Sequence, residues 1–167
     1  MIVVNDGSTD ATGRILRGFG GRIKCIDQPN RGVSAARNAA VDHARDLISR
    51  FLDFDDLWPR DKLARMMPAL QARPDAVLAY SNFVHMDGEG NRGKTFHCGG
   101  PPSMDDLLRG GWTILPSAVV MPRSIYGRCG GFCEEFKGPG GDDPFMWLMA
   151  RAVCLRTRAA DALPRNA

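Results

Sequence analysis

Short apolar runs alternate along this chain with segments of helical periodicity, and this order constrains its fold more than any other feature. The runs predicted to be strands are Ile2–Val4, Arg22–Asp27, Leu47–Leu52, Ala76–Met86 and Ser117–Met121. The predicted helices are one ending near Arg17, one over Ser34–Arg45 with a buried stripe of Val33, Ala36, Ala40 and Ala44, and one carrying the stripe Leu63, Met66, Met67 and Leu70. A strand return over Lys94–His97, a short helix over Ser103–Leu108 and a last helix with Phe145, Leu148, Met149 and Ala152 complete the prediction. Strands that alternate with helices indicate an α/β protein with a parallel or mixed sheet covered by helices.

Charge and apolar content narrow the class of protein. The 167 residues carry 22 Lys and Arg against 19 Asp and Glu, a net charge of +3, so no nucleic acid partner is expected. No run approaches the ~20 apolar residues of a membrane span, and the first residues lack the pattern of a signal peptide. A cytoplasmic location is therefore expected. The five cysteines contain no C-x-x-C pair, which favours reduced thiols over a disulfide framework or a zinc ribbon.

Acidic residues cluster where two predicted strands end. Asp outnumbers Glu 16 to 3, and the clusters lie at Asp6–Asp10 and Asp53–Asp56. In α/β sheets ligands bind beyond the carboxyl ends of strands, so both clusters are candidate ligand sites. Carboxylates at such a turn suit Mg²⁺ or Mn²⁺, which also takes phosphate oxygens and would bridge them to a diphosphate. The alternative for the second cluster is a solvated turn in which Asp53 or Asp56 caps a helix, and the alternative for Asp6 is a turn residue.

Two further groups have a chemical and a structural interpretation. Arg31 and Arg37 flank a helix N-terminus, where free N–H groups attract phosphate, although solvated surface arginines are the alternative. Asp142-Asp143-Pro144 opens the last predicted helix behind several glycines. Asp143 is thus either the N-cap of that helix or a general base kept ionised by the helix dipole.

Four blocks of this sequence resemble glycosyltransferase family 2. They are Ile2-Val3-Val4-Asn5-Asp6-Gly7-Ser8-Thr9-Asp10, Asn30-Arg31-Gly32-Val33-Ser34-Ala35-Ala36-Arg37-Asn38, Phe51-Leu52-Asp53-Phe54-Asp55-Asp56-Leu57-Trp58, and Gly130-Gly131-Phe132 followed by Gly141-Asp142-Asp143. The blocks occur in the family's order over about 150 residues. The resemblance implies a GT-A fold, a three-layer α/β/α sandwich with a mixed, mostly parallel sheet.

The same resemblance implies a reaction and a set of site residues. The reaction is inverting, metal-dependent transfer of a sugar from a nucleotide-diphospho-sugar donor to an acceptor hydroxyl, with Mn²⁺ or Mg²⁺ as cofactor. Asp6 would contact the nucleobase, Arg37 the nucleotide, Asp53 the nucleotide and diphosphate, and Asp55 the metal. Asp143 would be the catalytic base. The donor sugar, the base, the acceptor and the oligomeric state cannot be read from the sequence, and peripheral association with the inner face of a membrane is compatible with it.

The chain departs from the family pattern in three places. The family's first strand and its nucleotide-contacting loop precede the segment where this sequence starts, so a fold lacking the first strand is expected. Asp142 stands where the family usually has Glu, and Phe145 stands where an acidic residue is common. After Ala152 the sequence no longer follows the family's pattern. We therefore expect a partial catalytic domain over 1–155 and an irregular tail over 156–167. The alternatives are an inactive fragment that keeps a nucleotide- or metal-binding surface, and a nucleotidyltransferase that makes sugar nucleotides.

Overall fold

The computed structural model describes residues 1–73, 76–99, 105, 114–135 and 154–156, the last three as backbone only. The strands are β1 Ile2–Asp6, β2 Lys24–Gln28, β3 Ile48–Arg50, β4 Leu78–Tyr80, β5 Phe83–Met86, β6 Arg92–Phe96, β7 Val119–Pro122 and β8 Cys154–Arg156. The helices are α1 Thr12–Gly18, α2 Val33–Asp42, α3 Lys62–Gln71 and α4 Arg123–Cys129, with short 3₁₀ turns at Gly20–Arg22 and Pro116–Ala118. No described helix is long and apolar enough to cross a membrane.

The described strands form three hydrogen-bonded groups. β1 pairs in parallel with β2, and β5 pairs with β6 as an antiparallel hairpin. The central sheet has the order β3-β7-β4-β8, in which β7 is antiparallel to both β3 and β4 while β8 is parallel to β4. The α/β class and the mixed sheet are confirmed, but antiparallel pairs outnumber parallel ones among the described strands, because β7 runs against both of its neighbours.

The inner strands of the central sheet, β4 and β7, are buried on both faces, which explains their continuous apolar runs. Successive side chains of a strand point to opposite faces, and the two core clusters follow this rule. On one face the cluster includes Leu78, Tyr80, Val119 and Met121, and it is covered by α2 and α4 through Val41 and Tyr126. On the other face Ala79 and Val120 pack against Met66 and Leu70 of α3. The three-layer α/β/α arrangement follows from this burial.

Several predicted boundaries differ from the structure. The predicted strand Ala76–Met86 is interrupted at Ser81 and Asn82, where the chain leaves the central sheet and enters the β5–β6 hairpin. Helix α4 was not predicted, and β8 ends at Arg156, one residue inside the predicted tail. The predicted helices over Ser103–Leu108 and around Phe145–Ala152 lie outside the described residues, apart from Asp105, which is helical. Cys25, Cys98, Cys129 and Cys133 are free thiols in the structure.

The predicted buried stripe of α2 is wrong. Its buried residues are Ser34, Ala35 and Val41, whereas Val33 is 46% exposed. Nearly every residue of this helix is small, so apolar periodicity could not distinguish one face from the next. The stripe predicted for α3 is confirmed, because Met66 and Leu70 are buried and Leu63 packs against the same cluster.

The side chain of Asn38 fastens the turn after α4 to α2. Its Oδ1 accepts hydrogen bonds from the Tyr126 hydroxyl and from Phe132 N at 2.9 Å. Its Nδ2 donates to Phe132 O at 3.0 Å and to Glu134 Oε1 at 2.9 Å. Burial raises the pKa of Tyr126 far above its usual range, so this hydroxyl keeps the proton that it donates. All four hydrogen-bonding positions of the amide are therefore used.

The turn held by Asn38 requires glycine. Gly131 has φ +81°, and a Cβ built on it would lie 2.8 Å from Asn38 Oδ1. A non-glycine residue in the left-handed region costs roughly 1–2 kcal/mol before any clash is counted. Gly127, four residues earlier within α4, has nothing within 4 Å of an added Cβ.

We expect Gly131→Ala to lower the free energy of unfolding by at least ~1 kcal/mol, through both strain and loss of the Asn38 contacts. The matched change Gly127→Ala should instead leave it unchanged or raise it by ~0.5–1 kcal/mol, since alanine favours a helix over glycine. Urea unfolding followed by circular dichroism measures both. Equal effects of the two substitutions would contradict this account of the turn.

Candidate active site

Several polar segments meet at one edge of the central sheet. Asp53 follows the carboxyl end of β3, and Ser81 follows the carboxyl end of β4. Because β7 is antiparallel to both, its amino end, preceded by Ser117, lies at the same edge, as the pairs Arg50–Val120 and Tyr80–Val119 require. This is the edge at which α/β proteins bind ligands.

Ser117 holds the acidic segment against the sheet. Its Oγ accepts a hydrogen bond from Asp53 N at 2.9 Å, and its carbonyl accepts one from Trp58 Nε1 at 2.7 Å. Asp56 N also donates to Asp53 O at 3.2 Å, which closes a tight turn. The segment 53–58 is therefore anchored at both ends, and the side chains between the anchors project from a defined backbone.

The structure brings two predicted site residues into direct contact, Arg37 and Asp53. Arg37 Nη2 lies 3.1 Å and 2.9 Å from the two carboxylate oxygens of Asp53. The Arg37 side chain is 10% exposed and that of Asp53 28%, so solvent screens this ion pair less than a surface pair. The guanidinium also lies over the ring of Phe132, 5.0 Å from its centroid. Arg37 thereby links α2, the acidic segment and the turn after α4.

Asp6 connects β1 to β2 and to the start of α2. One carboxylate oxygen accepts from Gln28 Nε2 at 2.7 Å and Arg31 N at 2.9 Å, and the other accepts from Gly32 N at 2.8 Å. A carboxylate offers about four acceptor positions, so one remains for a ligand. These donors lie in β2 and just before α2, so the structure shows Asp6 as an anchor between elements that are distant in the chain, with one acceptor position left on its carboxylate.

The acidic segment offers a partial metal site. Asp55 is exposed and Asp56 partly exposed, and their carboxylates have no hydrogen-bond partner among the described residues. Groups of three or more His, Cys, Asp or Glu side chains that could enclose a cation are absent from the described part of the chain. Mg²⁺ and Mn²⁺ sites commonly take one or two carboxylates and complete their shell with water and substrate phosphates. A free Asp55 carboxylate fits this arrangement, whereas Asp53 is engaged by Arg37.

Lys62, a residue that the sequence patterns did not single out, also lies at this edge. Its Nζ donates to Ser81 Oγ at 3.0 Å and lies 5.7 Å from the centroid of the Trp58 ring. Burial lowers the pKa of Lys62 to about 8, while the negative charge of Asp56 acts in the opposite direction. The sequence feature that could have drawn attention to Lys62 is its rarity, since the chain has four lysines against 18 arginines.

Asp143, the predicted base, lies outside the described residues. A surface cavity of about 380 Å³ lies between α2 and α4, lined by residues that include Asn38, Asp42, Arg123 and Glu134. None of Asp6, Arg37, Asp53 and Asp55 lines it. The candidate site is therefore the sheet edge and not this cavity.

The hydrogen bonds to Asp6 predict a stability effect. Asp6→Asn replaces an acceptor oxygen by an NH₂ donor that faces other donors, so we expect the free energy of unfolding to fall by ~1–3 kcal/mol. Asp55→Asn makes the same chemical change at an exposed side chain and should alter it by less than ~0.5 kcal/mol. Thermal or urea unfolding compares the two variants, and an Asp6→Asn protein as stable as the parent would refute the anchoring role.

Solved structures share this fold. One is a crystal structure of S. aureus TarS 1-349 in complex with UDP, with a TM-score of 0.67 and 20% sequence identity, covering 89% of this chain and 44% of that chain. Another is the mannosyltransferase PcManGT from Pyrobaculum calidifontis in complex with GDP-Man and Mn²⁺, with a TM-score of 0.60 and 23% identity, covering 87% and 40%. Both likenesses support the GT-A fold.

Relatives found by sequence are glycosyltransferases as well. The putative teichuronic acid biosynthesis glycosyltransferase TuaG of Bacillus subtilis is 32% identical over 126 residues, 72% of this chain and 49% of TuaG. An uncharacterized glycosyltransferase of Haemophilus influenzae is 30% identical over 129 residues, 75% of this chain and 51% of its own length. The chain thus spans about half the length of these relatives. Residues 1–130 match the family described as glycosyl transferase family 2, and the chain belongs to that family.

Proposed function

We propose that this chain binds a nucleotide-diphospho-sugar and takes part in inverting, metal-dependent transfer of the sugar to an acceptor hydroxyl. The observation that carries the proposal is the anchored segment 53–58, in which the exposed Asp55 follows the Arg37–Asp53 pair by two residues at the edge of the sheet where α/β proteins bind ligands. Family membership supports the reaction class, and the titles of two fold neighbours, which name UDP and GDP-Man with Mn²⁺, support the ligand class.

The donor side of the proposed site is made of residues with separate tasks. Asp55 would hold the divalent cation, which when bound neutralises charge on the leaving diphosphate. Arg37 orients Asp53, and its guanidinium would contact the nucleotide. Asp6, with one acceptor position left, would receive a hydrogen bond from the nucleobase.

The acceptor side of the proposed reaction rests on the sequence pattern around Asp143. Its carboxylate would take the proton from the acceptor hydroxyl as that oxygen attacks the anomeric carbon. General-base catalysis of this kind contributes typically ~10²–10⁴-fold to the rate. Attack opposite the leaving diphosphate in a single displacement inverts the anomeric configuration.

Two alternatives differ from this proposal in a measurable way. A binding module without activity would bind nucleotide and metal but transfer no sugar. We consider it because the chain spans about half the length of the relatives that it matches. A nucleotidyltransferase would instead join a nucleotide to a sugar phosphate, and membership of a glycosyltransferase family argues against it.

The metal and the nucleotide should bind together. Calorimetric titration with UDP and with GDP, each with and without Mn²⁺, should show tighter binding of the preferred nucleotide when the metal is present, since carboxylate and diphosphate repel each other without it. Asp55→Ala should remove this dependence on the metal, whereas Asp46→Ala, at an exposed position before β3, should preserve it. Equal affinities with and without Mn²⁺ in the parent chain would rule out the metal-bridged site.

The substitution Asp143→Asn distinguishes a general-base role of Asp143 from a role as helix N-cap. Asparagine caps a helix about as well as aspartate but cannot accept the proton, so we expect sugar transfer to fall by ~10²-fold or more with the thermal midpoint unchanged. Transfer within about threefold of the parent would exclude the base role. A parent chain that binds donor and transfers nothing would favour the binding module.

A further inference from the structure

Lys62 has hydrogen-bonding capacity that its described contacts leave unused. An ammonium group has three N–H donors, and among the described residues one of them is used, toward Ser81 Oγ. The side chain is partly buried, so the ammonium group is partly shielded from bulk water. A partly buried charge is stabilised when its donors are satisfied, and a ligand at this position would satisfy them.

The surroundings hold this ammonium in place. Ser81 follows β4, and Trp58, over which the ammonium lies, is fixed by the hydrogen bond of its indole N–H to Ser117 O. Both supports belong to the sheet edge at which segment 53–58 is anchored. These contacts therefore hold the Lys62 ammonium in a defined position at the candidate site.

Asp56 supplies the complementary chemistry. Asp56 lies in the anchored segment two residues before Trp58, the ring over which the Lys62 ammonium lies, and its negative charge acts on Lys62. Within the described residues its carboxylate accepts no hydrogen bond. A cation that donates beside an anion that accepts is complementary to neutral hydroxyl groups, each of which can accept from one and donate to the other. A second phosphate would instead meet the negative charges of Asp56 and Asp55. The pair thus favours a polyol over an anion.

We propose that Lys62 and Asp56 bind hydroxyl groups of the donor's sugar ring, so that they act as specificity-determining residues of the site. The inference rests on the proposed function. It commits to the donor's sugar because Asp56 is the immediate neighbour of Asp55, whose cation would hold the diphosphate to which that sugar is attached. Contact with the acceptor is the competing source of the same chemistry.

The test compares sugar-nucleotide binding with nucleotide binding. The parent chain is titrated in Mn²⁺ with UDP, GDP, UDP-glucose, UDP-galactose, UDP-N-acetylglucosamine and GDP-mannose, and the sugar nucleotide with the lowest Kd is chosen. Lys62→Met should raise that Kd about tenfold or more, the loss expected for hydrogen bonds from a charged group, and leave the Kd of the matching nucleoside diphosphate within twofold. Lys24→Met, the same change at an exposed residue of β2, is the control and should alter neither.

A second variant covers loss of folding. If the thermal midpoint shows Lys62→Met to be unfolded, Asp56→Asn, which keeps the shape of the side chain, should produce the same selective loss of sugar-nucleotide affinity. Equal changes in both Kd values, or no change in either, would overturn the inference. Unchanged donor binding with impaired transfer would assign the pair to the acceptor and overturn it as well.

The outcomes also separate this inference from the proposed function. A parent chain that binds none of the six ligands would refute the proposed function itself. A parent chain that binds UDP or GDP with Mn²⁺ but none of the sugar nucleotides would leave nucleotide binding intact and refute the sugar contact alone.

Discussion

The ion pair between Arg37 and Asp53 is the interaction on which the arrangement of the site depends. It joins the middle of α2 to the segment after β3, across a boundary that no described strand pairing crosses. Burying the guanidinium is tolerated because the carboxylate pairs with it and the Phe132 ring covers it. Removing either partner would leave an uncompensated charge in a partly dry environment, so the geometry of the acidic segment and the packing of α2 are not independent.

This coupling fixes the geometry of the sheet edge that we propose as the binding site. Asp6 ties the start of α2 to β1 and β2, while Arg37 ties its second turn to the segment that carries Asp55. The same helix therefore sets the spacing between the position proposed for the nucleobase and the position proposed for the metal. Ser117 adds a third constraint by anchoring the acidic segment to β7. Together these anchors fix the positions of Asp6, Arg37 and the acidic segment relative to one another.

The sequence predicted the elements of the fold well where periodicity and turn chemistry agreed. The stripe of α3 and the strand after the first residue are examples, because bulky apolar residues mark a single buried face. It failed for the buried face of α2, whose small side chains give little contrast, and for the break at Ser81, because both flanking strands are apolar. The sequence also could not predict that Asp53 would pair with Arg37 or that Lys62 would meet Ser81, since both contacts depend on tertiary packing between elements distant in the chain.

The amide of Asn38 has a consequence for how segments of this protein can be exchanged. It uses two donors and two acceptor positions on the turn at residues 126–134, and the neighbouring glycine leaves no room for a bulkier partner. An aspartate would lack the donors and a glutamine would place its amide one methylene too far. Helix α2 and the turn after α4 therefore form one unit of recombination, although they are separated by about 90 residues of chain. A chimaera that takes α2 from a relative should take this turn from the same parent.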